Sequence, residues 1–265
     1  MARTIDSPGN PLVKRLVRLR ERRARAAEGV ALVEGAREVV RALDGGWRPR
    51  LIATCAALAS PAAAVHADRF DVAGAERVEL SATAFAKVSL RQHPDGVVAL
   101  FEPPDLDLAD LAWPDDGLYL VADGLEKPGN LGALLRTADA AGADAVFVTG
   151  RGTDLHNPNV VRASMGSLFS RPVLAVEPDE LRAAFRRHAV RLVVTSPGAD
   201  RDLWDADLRG PTAIVLGTEH EGLAPTWLEA ADVRVRVPMQ GLADSLNVAT
   251  TGALLLFEAR RQRRG

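Results

Sequence analysis

Three short clusters of polar and glycine residues stand out in the second half of the chain, each directly after a predicted buried strand. They cover residues 127–138, 216–222 and 237–249. Together they offer amides, carboxylates, a hydroxyl and a guanidinium, which are groups that can bind a ligand through hydrogen bonds and charge. Ligands of open parallel sheets bind at the carboxyl ends of the strands. The spacing therefore predicts that the three clusters converge on one site.

The first cluster begins a predicted helix with Asn130 and Gly132 and also contains Arg136. Arg136 lies six residues after Asn130, less than two helical turns, so both side chains can lean toward the strand ends. A simpler interpretation is that Asn130 caps the helix and Arg136 is a surface arginine. Taken alone, this cluster leaves both interpretations open.

The second cluster follows the predicted strand that ends at Leu216. Gly217 permits a close approach of the backbone to a ligand, and Glu219 lies at the same mouth. A plain strand-to-helix turn with a solvated acid would show the same pattern. The cluster is therefore a candidate binding loop, with the turn as the alternative.

The third cluster precedes the last predicted helix, which Asp244 or Ser245 is expected to cap. Capping does not require the Pro238-Met239 pair before it or Asn247 after it. A stiff, apolar loop of this kind suits a flat adenine ring. The third cluster therefore predicts a nucleoside-binding loop.

Composition excludes several other classes of protein. The five histidines are scattered and Cys55 is the single cysteine, so neither a metal-ligand set nor an intrachain disulfide is predicted. The sequence has no Gly-x-Ser-x-Gly elbow, Walker loop or Gly-x-Gly-x-x-Gly motif, which argues against hydrolase, NTPase and ordinary NAD-dependent activities. No run of about 18 apolar residues and no apolar signal core occurs, so we expect a cytoplasmic protein without a membrane span.

Apolar strands alternate with helices from residue 118 onward. The predicted strands are 118–122, 145–148, 173–176, 192–195, 213–216 and 233–237, and the predicted helices lie near 131–141, 179–188 and 246–262. Near-continuous apolar strands in such an alternation predict an α/β domain with a mainly parallel sheet covered on both faces.

The first part of the chain predicts a smaller α/β domain, residues 1–101. Its expected strands are short and cover residues 30–33, 51–53 and 97–101, and helices are expected near 57–67 and 81–88. Residues 102–117 hold three prolines and six acidic residues and predict a linker. These boundaries leave residues 118–265 as the C-terminal domain.

The N-terminal arm is basic, although the whole chain carries a net charge of −2. Residues 1–25 hold eight lysine and arginine residues against two acidic ones, and the pattern predicts one helix from Leu12 with leucines and arginines on different faces. Such an arm suggests a polyanion partner, with a solvated helix as the alternative. The residues expected to bind such a nucleic acid are Lys14, Arg15, Arg18, Arg22 and Arg25.

The three clusters, in this order and at these distances, resemble the three motifs of the SpoU (TrmH) family of RNA ribose 2′-O-methyltransferases. The matching patterns are Asn130-x-Gly132-x-x-x-Arg136-x-Ala138, Leu216-Gly217-x-Glu219-x-x-Gly222 and Pro238-Met239-x-Gly241-x-x-x-Ser245-Leu246-Asn247-Val248-Ala249. This resemblance spans about residues 118–262, and the segment 162–166 is also similar to one common in the family. More weakly, residues 7–11, 33–35 and 92–97 resemble the N-terminal, ribosomal-protein-like substrate-binding domain of many members.

The resemblance implies a trefoil knot in the C-terminal domain, S-adenosylmethionine as cofactor, and assembly as a homodimer. No metal ion is expected. It implies cofactor contacts from Thr195, Leu216, Gly217, Val237, Met239 and Leu246. It implies catalytic contributions from Arg136, Asn130, Glu219, Ser245 and Asn247.

The expected substrate is a ribose of structured RNA, with large-subunit (23S) ribosomal RNA favoured because the layout has two domains. The alternatives are methylation of tRNA, an rRNA methylation that confers antibiotic resistance, and a non-catalytic RNA-binding protein. The target nucleotide is not predicted, because a 2′-hydroxyl is common to all four.

Overall fold

The computed structural model describes residues 3–218 and 222–264, and within them the chain forms two compact units. The first unit consists of Met1–Asp105 and the segment His156–Ser170, and the second of Leu106–Leu155 and Arg171–Gly265. The segment 156–170, which lies in the second half of the sequence, thus packs within the first unit. None of the described helices is long and apolar enough to cross a membrane.

Twelve strands and ten helices of at least five residues are formed by the described residues. The strands are β1 (Arg3–Ile5), β2 (Ala31–Glu34), β3 (Arg48–Thr54), β4 (Glu76–Leu80), β5 (Val97–Glu102), β6 (Leu118–Asp123), β7 (Ala145–Thr149), β8 (Val173–Ala175), β9 (Arg191–Thr195), β10 (Arg201–Asp202), β11 (Thr212–Leu216) and β12 (Val233–Arg236). The helices are α1 (Pro11–Arg18), α2 (Arg22–Glu28), α3 (Ala36–Asp44), α4 (Pro61–Val65), α5 (Ala82–Val88), α6 (Pro128–Ala140), α7 (Pro158–Ala163), α8 (Pro178–Arg187), α9 (Pro225–Ala230) and α10 (Val248–Arg263).

The first unit is built on a mixed five-stranded sheet in the order β1-β4-β3-β5-β2. β1 and β3 run parallel to β4, whereas β5 is antiparallel to both β2 and β3. Its core joins Leu51 and Leu100 of the sheet to Leu16 of α1 and Phe85 of α5. The three strands predicted for this part of the chain are confirmed, and the helix expected near 57–67 is the shorter α4 between two 3-10 turns.

The basic arm forms two helices rather than the single predicted one. α1 ends at Arg18 and α2 begins at Arg22, so the arginine face predicted for a single helix is not continuous. Arg25 turns inward at this break, where its guanidinium donates to the carbonyl oxygens of Leu19 (2.9 Å) and Arg20 (2.6 Å) just after α1. Arg25 is only 3% exposed, so the expectation that it contacts RNA is not supported.

Arginine side chains cap two further helix C-termini, where backbone carbonyl oxygens lack hydrogen-bond partners within the helix. Arg20 donates to the carbonyls of Lys87, Val88 and Ser89 at the end of α5. In the second unit, Arg260 of α10 donates to the two carbonyls that follow α6, those of Ala141 and Gly142. Part of the arginine content therefore serves the fold itself.

The second unit contains a sheet of seven strands, all parallel, in the order β10-β12-β9-β11-β6-β7-β8. Alternate strand residues face opposite sides: Tyr119 and Val121 belong to the core that includes Phe185 of α8 and Trp227 of α9. α6 and α10 pack on each other, and α10 also contacts β11. The predicted parallel sheet is confirmed, and the near-continuous apolar strands follow from burial on both faces.

The segment predicted as a linker packs on the second unit instead of running free. Leu108, Leu111 and Trp113 join its core, and the Trp113 ring stacks on His188 with 4.5 Å between ring centroids. Prolines and acids keep the segment from forming a strand or a long helix, but its apolar side chains still gain by burial.

Candidate functional site

A cavity of about 750 Å³ lies in the second unit where β9, β11 and β12 end. Its size falls within the range of about 300–1,000 Å³ that is typical of cofactor sites. All six residues predicted to contact the cofactor lie on its wall: Thr195, Leu216, Gly217, Val237, Met239 and Leu246. Their position follows from the parallel sheet, which brings the carboxyl ends of its strands to one edge.

Gly217 is required by the way its loop folds back on itself. The backbone of Thr218 exchanges two hydrogen bonds with Gly222, at 2.9 and 3.2 Å. A Cβ on Gly217 would lie 2.6 Å from the backbone nitrogen of Leu223 and closer still to the Gly222 carbonyl. Glu219, the predicted acid of this loop, lies outside the described residues.

The helices beside the cavity approach each other closely at a second glycine. A Cβ on Gly252 of α10 would lie 2.5 Å from a methyl carbon of Leu134 and 2.9 Å from one of Leu216. The missing side chain therefore lets α10 sit directly on α6 and on β11. This packing brings together the first turns of both helices, which carry the predicted catalytic amides.

Asn247 and Asn130 are joined at this point by a hydrogen bond. The Asn247 Nδ2 donates to Asn130 Oδ1 at 3.1 Å, while its Oδ1 accepts from the backbone nitrogen of Ala249 at 2.9 Å. Asn247 is thus the N-cap of α10, and the predicted cap by Asp244 or Ser245 is wrong, because the helix begins at Val248.

The simpler interpretation of Asn130 as a helix cap is also wrong. α6 begins at Pro128 with Lys127 as its N-cap, so Asn130 lies inside the first turn with its amide aimed at α10. Ser245 lies on the cavity wall. Arg136 is exposed further along α6, and within the described residues its side chain forms no hydrogen bond or ion pair. Its guanidinium is therefore available to a ligand or a partner.

Two charged residues of the cavity wall were missed by sequence reasoning. The Arg236 Nε donates to an Asp202 carboxylate oxygen at 2.7 Å, and this hydrogen bond raises the pKa of Arg236. Asp202 belongs to a two-residue strand that the sequence did not predict. The alternation of valine and arginine over 233–236 was an available signal, since it places Arg236 on the face opposite the buried Val235.

The wall is chemically suited to S-adenosylmethionine. Among the described lining residues Asp202 and Asp244 are acidic and Arg236 is basic, which makes the wall negative by one charge. The cofactor carries a sulfonium, an ammonium and a carboxylate and so has a net charge of about +1. The charges of the wall and the cofactor are therefore complementary. Apolar residues around the third cluster offer a surface for adenine, and no group of three possible metal ligands occurs among the described residues.

Four of the five predicted RNA-binding residues lie on α1 and α2 at the surface of the first unit. Lys14, Arg18 and Arg22 are exposed, and Arg15 is half-buried. Glu28 pairs with Arg15 at 2.8 Å and with Arg18 at 2.9 Å. Burial alone would raise the pKa of Glu28, but the hydrogen bonds from the two arginines outweigh it and lower that pKa. The pairs hold the two guanidiniums side by side.

Comparison with known proteins identifies both units. Residues 117–257 match the SpoU rRNA Methylase family, and residues 10–99 match the MRM3-like substrate binding domain. A 23S rRNA (uridine(2479)-2′-O)-methyltransferase of Streptomyces viridochromogenes is 40% identical over 176 residues. That alignment covers 64% of this chain and 61% of the relative.

Solved structures match over nearly the whole chain. An RNA 2′-O ribose methyltransferase is 45% identical, with a TM-score of 0.86 and coverage of 99% of this chain and 100% of that one. An rRNA methyltransferase from Sinorhizobium meliloti with bound AdoMet is 31% identical, with a TM-score of 0.90 and coverage of 98% of both chains. With a family match over more than half of its length, this chain belongs to the SpoU rRNA methylase family.

Proposed function

We propose that this protein is an S-adenosylmethionine-dependent RNA 2′-O-methyltransferase that acts on a ribose of large-subunit (23S) ribosomal RNA. The observation that carries this proposal is the cavity at the strand ends, which is lined by the second and third family motifs. The Asn130–Asn247 hydrogen bond joins the first motif to the third beside it. The names of the relatives support the same reaction and the same class of RNA.

The cofactor would be held by the cavity wall and would supply the methyl group to be transferred. Thr195, Leu216 and Gly217 line one part of that wall, and Val237, Met239 and Leu246 line another. Gly217 lines the cavity without a side chain, so a ligand at that point meets its backbone. We assign adenine recognition to the stiff loop that contains Pro238 and Met239.

Transfer to a ribose 2′-hydroxyl requires that the oxygen be positioned and relieved of its proton. A guanidinium has a pKa above about 12 and is a poor base near neutral pH. We therefore assign Arg136 to the phosphate beside the target ribose, where it also stabilises the emerging alkoxide. Asn130, Ser245 and Asn247 orient the ribose by hydrogen bonds, and Glu219 is the candidate base.

We further propose a homodimer, a trefoil knot in the second unit and a cytoplasmic location. The exposed Arg136, which has no partner among the described residues, supports an active site completed by a second copy of the chain. The family match supports the knot. Gel filtration with light scattering tests the dimer, and a monomeric mass with full activity would contradict it.

The decisive experiment incubates the full chain with tritiated S-adenosylmethionine and separated ribosomal and transfer RNAs, and then maps the labelled nucleotide. We expect label on a 2′-oxygen of 23S rRNA in the wild type and at least 100-fold less in Arg136→Ala and Arg136→Lys, with cofactor affinity nearly unchanged. Label in tRNA would support that alternative, and protection of ribosomes from an antibiotic would support a resistance role. Absence of label in every RNA would favour a non-catalytic RNA-binding protein.

The basic helices provide a separate test of RNA binding. Val13 and Leu16 of α1 are buried in the core, so the arm cannot be deleted without damage to the first unit. We expect that replacing Lys14, Arg18 and Arg22 with glutamine weakens RNA binding and lowers the slope of log K against log salt by about 0.7–0.9 per lost phosphate contact. An unchanged slope would show that the helices are merely solvated.

A further inference from the structure

The wall of the cavity includes one ion pair that none of the family motifs contains, Asp202 with Arg236. The two residues are direct partners across β10 and β12, which places their side chains on the same face of the sheet. The Arg236 Nε lies 2.7 Å from the Asp202 carboxylate, and the side chains remain 46% and 31% exposed. The pair is therefore fixed in position but open to a ligand.

Neither member of the pair is saturated. A guanidinium has five N–H donors, and Arg236 uses only its Nε within the described residues. Asp202 likewise engages one of its two carboxylate oxygens there. Exposed ion pairs of this kind contribute about 0–1 kcal/mol to folding, so stability is a weak reason for their presence in a cavity wall.

Arg236 is also the single cationic residue among the described residues that line the cavity. A ligand carboxylate bound in the cavity therefore has one positively charged side chain available to it there. Bidentate recognition of a carboxylate is the interaction for which a guanidinium is best suited. An adjacent carboxylate, in turn, suits an ammonium group.

We propose that Arg236 and Asp202 bind the amino-acid end of S-adenosylmethionine, with Arg236 contacting the α-carboxylate and Asp202 the α-ammonium. This inference rests on the proposed function, since it takes that cofactor as the ligand of the cavity. It assigns the two ends of the ligand to different surfaces, the charged pair for the methionyl end and the apolar loop at Pro238 and Met239 for adenine. The pair thus selects for ligands that carry an intact amino-acid zwitterion.

Calorimetry on the full chain tests the assignment with two probes. S-adenosylhomocysteine carries the adenosine and the amino-acid end, whereas 5′-methylthioadenosine carries the adenosine and lacks the amino-acid end. For Arg236→Met we expect S-adenosylhomocysteine to bind about tenfold or more weakly, the loss of a charge-assisted hydrogen bond, with 5′-methylthioadenosine unchanged. Asp202→Asn should show the same selective loss.

The matched control is Arg234→Met, which removes the same charge from the same face of β12. Arg234 donates to the carbonyl of Leu228 and does not line the cavity, so its replacement should leave both affinities unchanged. In steady-state methylation, Arg236→Met should raise KM for the cofactor and leave kcat largely intact.

Three outcomes would overturn the assignment: an unchanged affinity for S-adenosylhomocysteine, a parallel loss for both probes, or an equal selective loss in Arg234→Met. A thermal melt of each variant identifies misfolding. The more conservative Arg236→Lys keeps the positive charge but not the planar guanidinium, so it should recover part of the preference for S-adenosylhomocysteine over 5′-methylthioadenosine. If the wild type binds neither probe, the proposed function itself fails, and that result is distinct from the three above.

Discussion

Asn247 performs two tasks with one side chain, and substitution can separate them. Its Oδ1 caps α10 through Ala249, and its Nδ2 reaches Asn130 on α6. Serine is as good an N-cap as asparagine, but its hydroxyl is too short to span to another helix as well. Alanine removes both the cap and the link. The pair Asn247→Ser and Asn247→Ala therefore distinguishes helix stability from active-site geometry.

The magnitudes follow from the two contacts. Loss of an N-cap costs about 0.5–2 kcal/mol, so Asn247→Ala should unfold at lower urea, whereas Asn247→Ser should stay within about 0.5 kcal/mol of the wild type. Both variants should lose the 3.1 Å link that holds the Asn130 amide to α10. Misplacement of a positioning group by about 1 Å can cost about 100-fold in rate, so we expect both variants to lose about 10- to 100-fold in single-turnover methylation.

Asn157 supplies the matched control. It caps α7 of the first unit by accepting from the backbone nitrogen of Asn159 at 2.9 Å, the same cap distance as at Asn247. Asn157→Ala should lower stability by a similar amount with little change in methylation by the folded enzyme. The reasoning is refuted if Asn247→Ser keeps the wild-type rate, because the link to Asn130 would then have no catalytic consequence.

Two further predictions concern the second unit. Burial raises the pKa of Tyr119 to about 12, with smaller contributions from nearby acids, and its hydroxyl is buried without a hydrogen bond among the described residues. Because the folded pKa exceeds the unfolded value of about 10, ionisation of Tyr119 leaves the free energy of unfolding unchanged below about pH 10 and lowers it by about 2–3 kcal/mol as pH rises toward 12 and beyond. Urea titrations should show that Tyr119→Phe lacks this alkaline loss and unfolds no more easily than the wild type at pH 7. Gly217→Ala should cost about 1–3 kcal/mol and abolish S-adenosylhomocysteine binding in calorimetry, because backbone atoms cannot yield to its Cβ, whereas Gly198→Ala, whose nearest neighbour is the Ser196 hydroxyl at 4.0 Å, should change neither property. Normal binding by Gly217→Ala, or an alkaline loss that persists in Tyr119→Phe, would contradict the respective argument.

The second unit was predictable from sequence because its strands are buried on both faces. Long apolar runs such as 118–122 and 213–216 carry a strong signal, and the polar clusters that follow them mark the strand ends. The wall residues of the cavity follow from the same logic. The strand β10 was not predicted because two residues are too few to show an alternation of apolar and polar side chains. The Asp202–Arg236 pair was missed for the same reason.

The choice of helix-capping residue and the helix boundaries in the basic arm were harder to predict, because both depend on tertiary contacts. Asp244, Ser245 and Asn247 are all good N-caps, and only the position of α10 on α6 selects Asn247. In the arm, the arginine spacing fits one continuous helix, but the helix breaks after Arg18 and the Arg25 side chain turns inward to bind carbonyl oxygens at the break. Sequence periodicity cannot distinguish a guanidinium that faces water from one that binds carbonyl oxygens.

The arginines that close helix ends change how the charge of this chain should be understood. Arg20, Arg25 and Arg260 each bind two or more main-chain oxygens with one planar group. A lysine ammonium is a compact point charge without that flat fork, so it is a poor substitute at these places. The chain has only three lysines among its 33 basic residues. The excess of arginine over lysine therefore partly serves the fold. A count of basic residues overestimates the positively charged surface that is available to a nucleic acid.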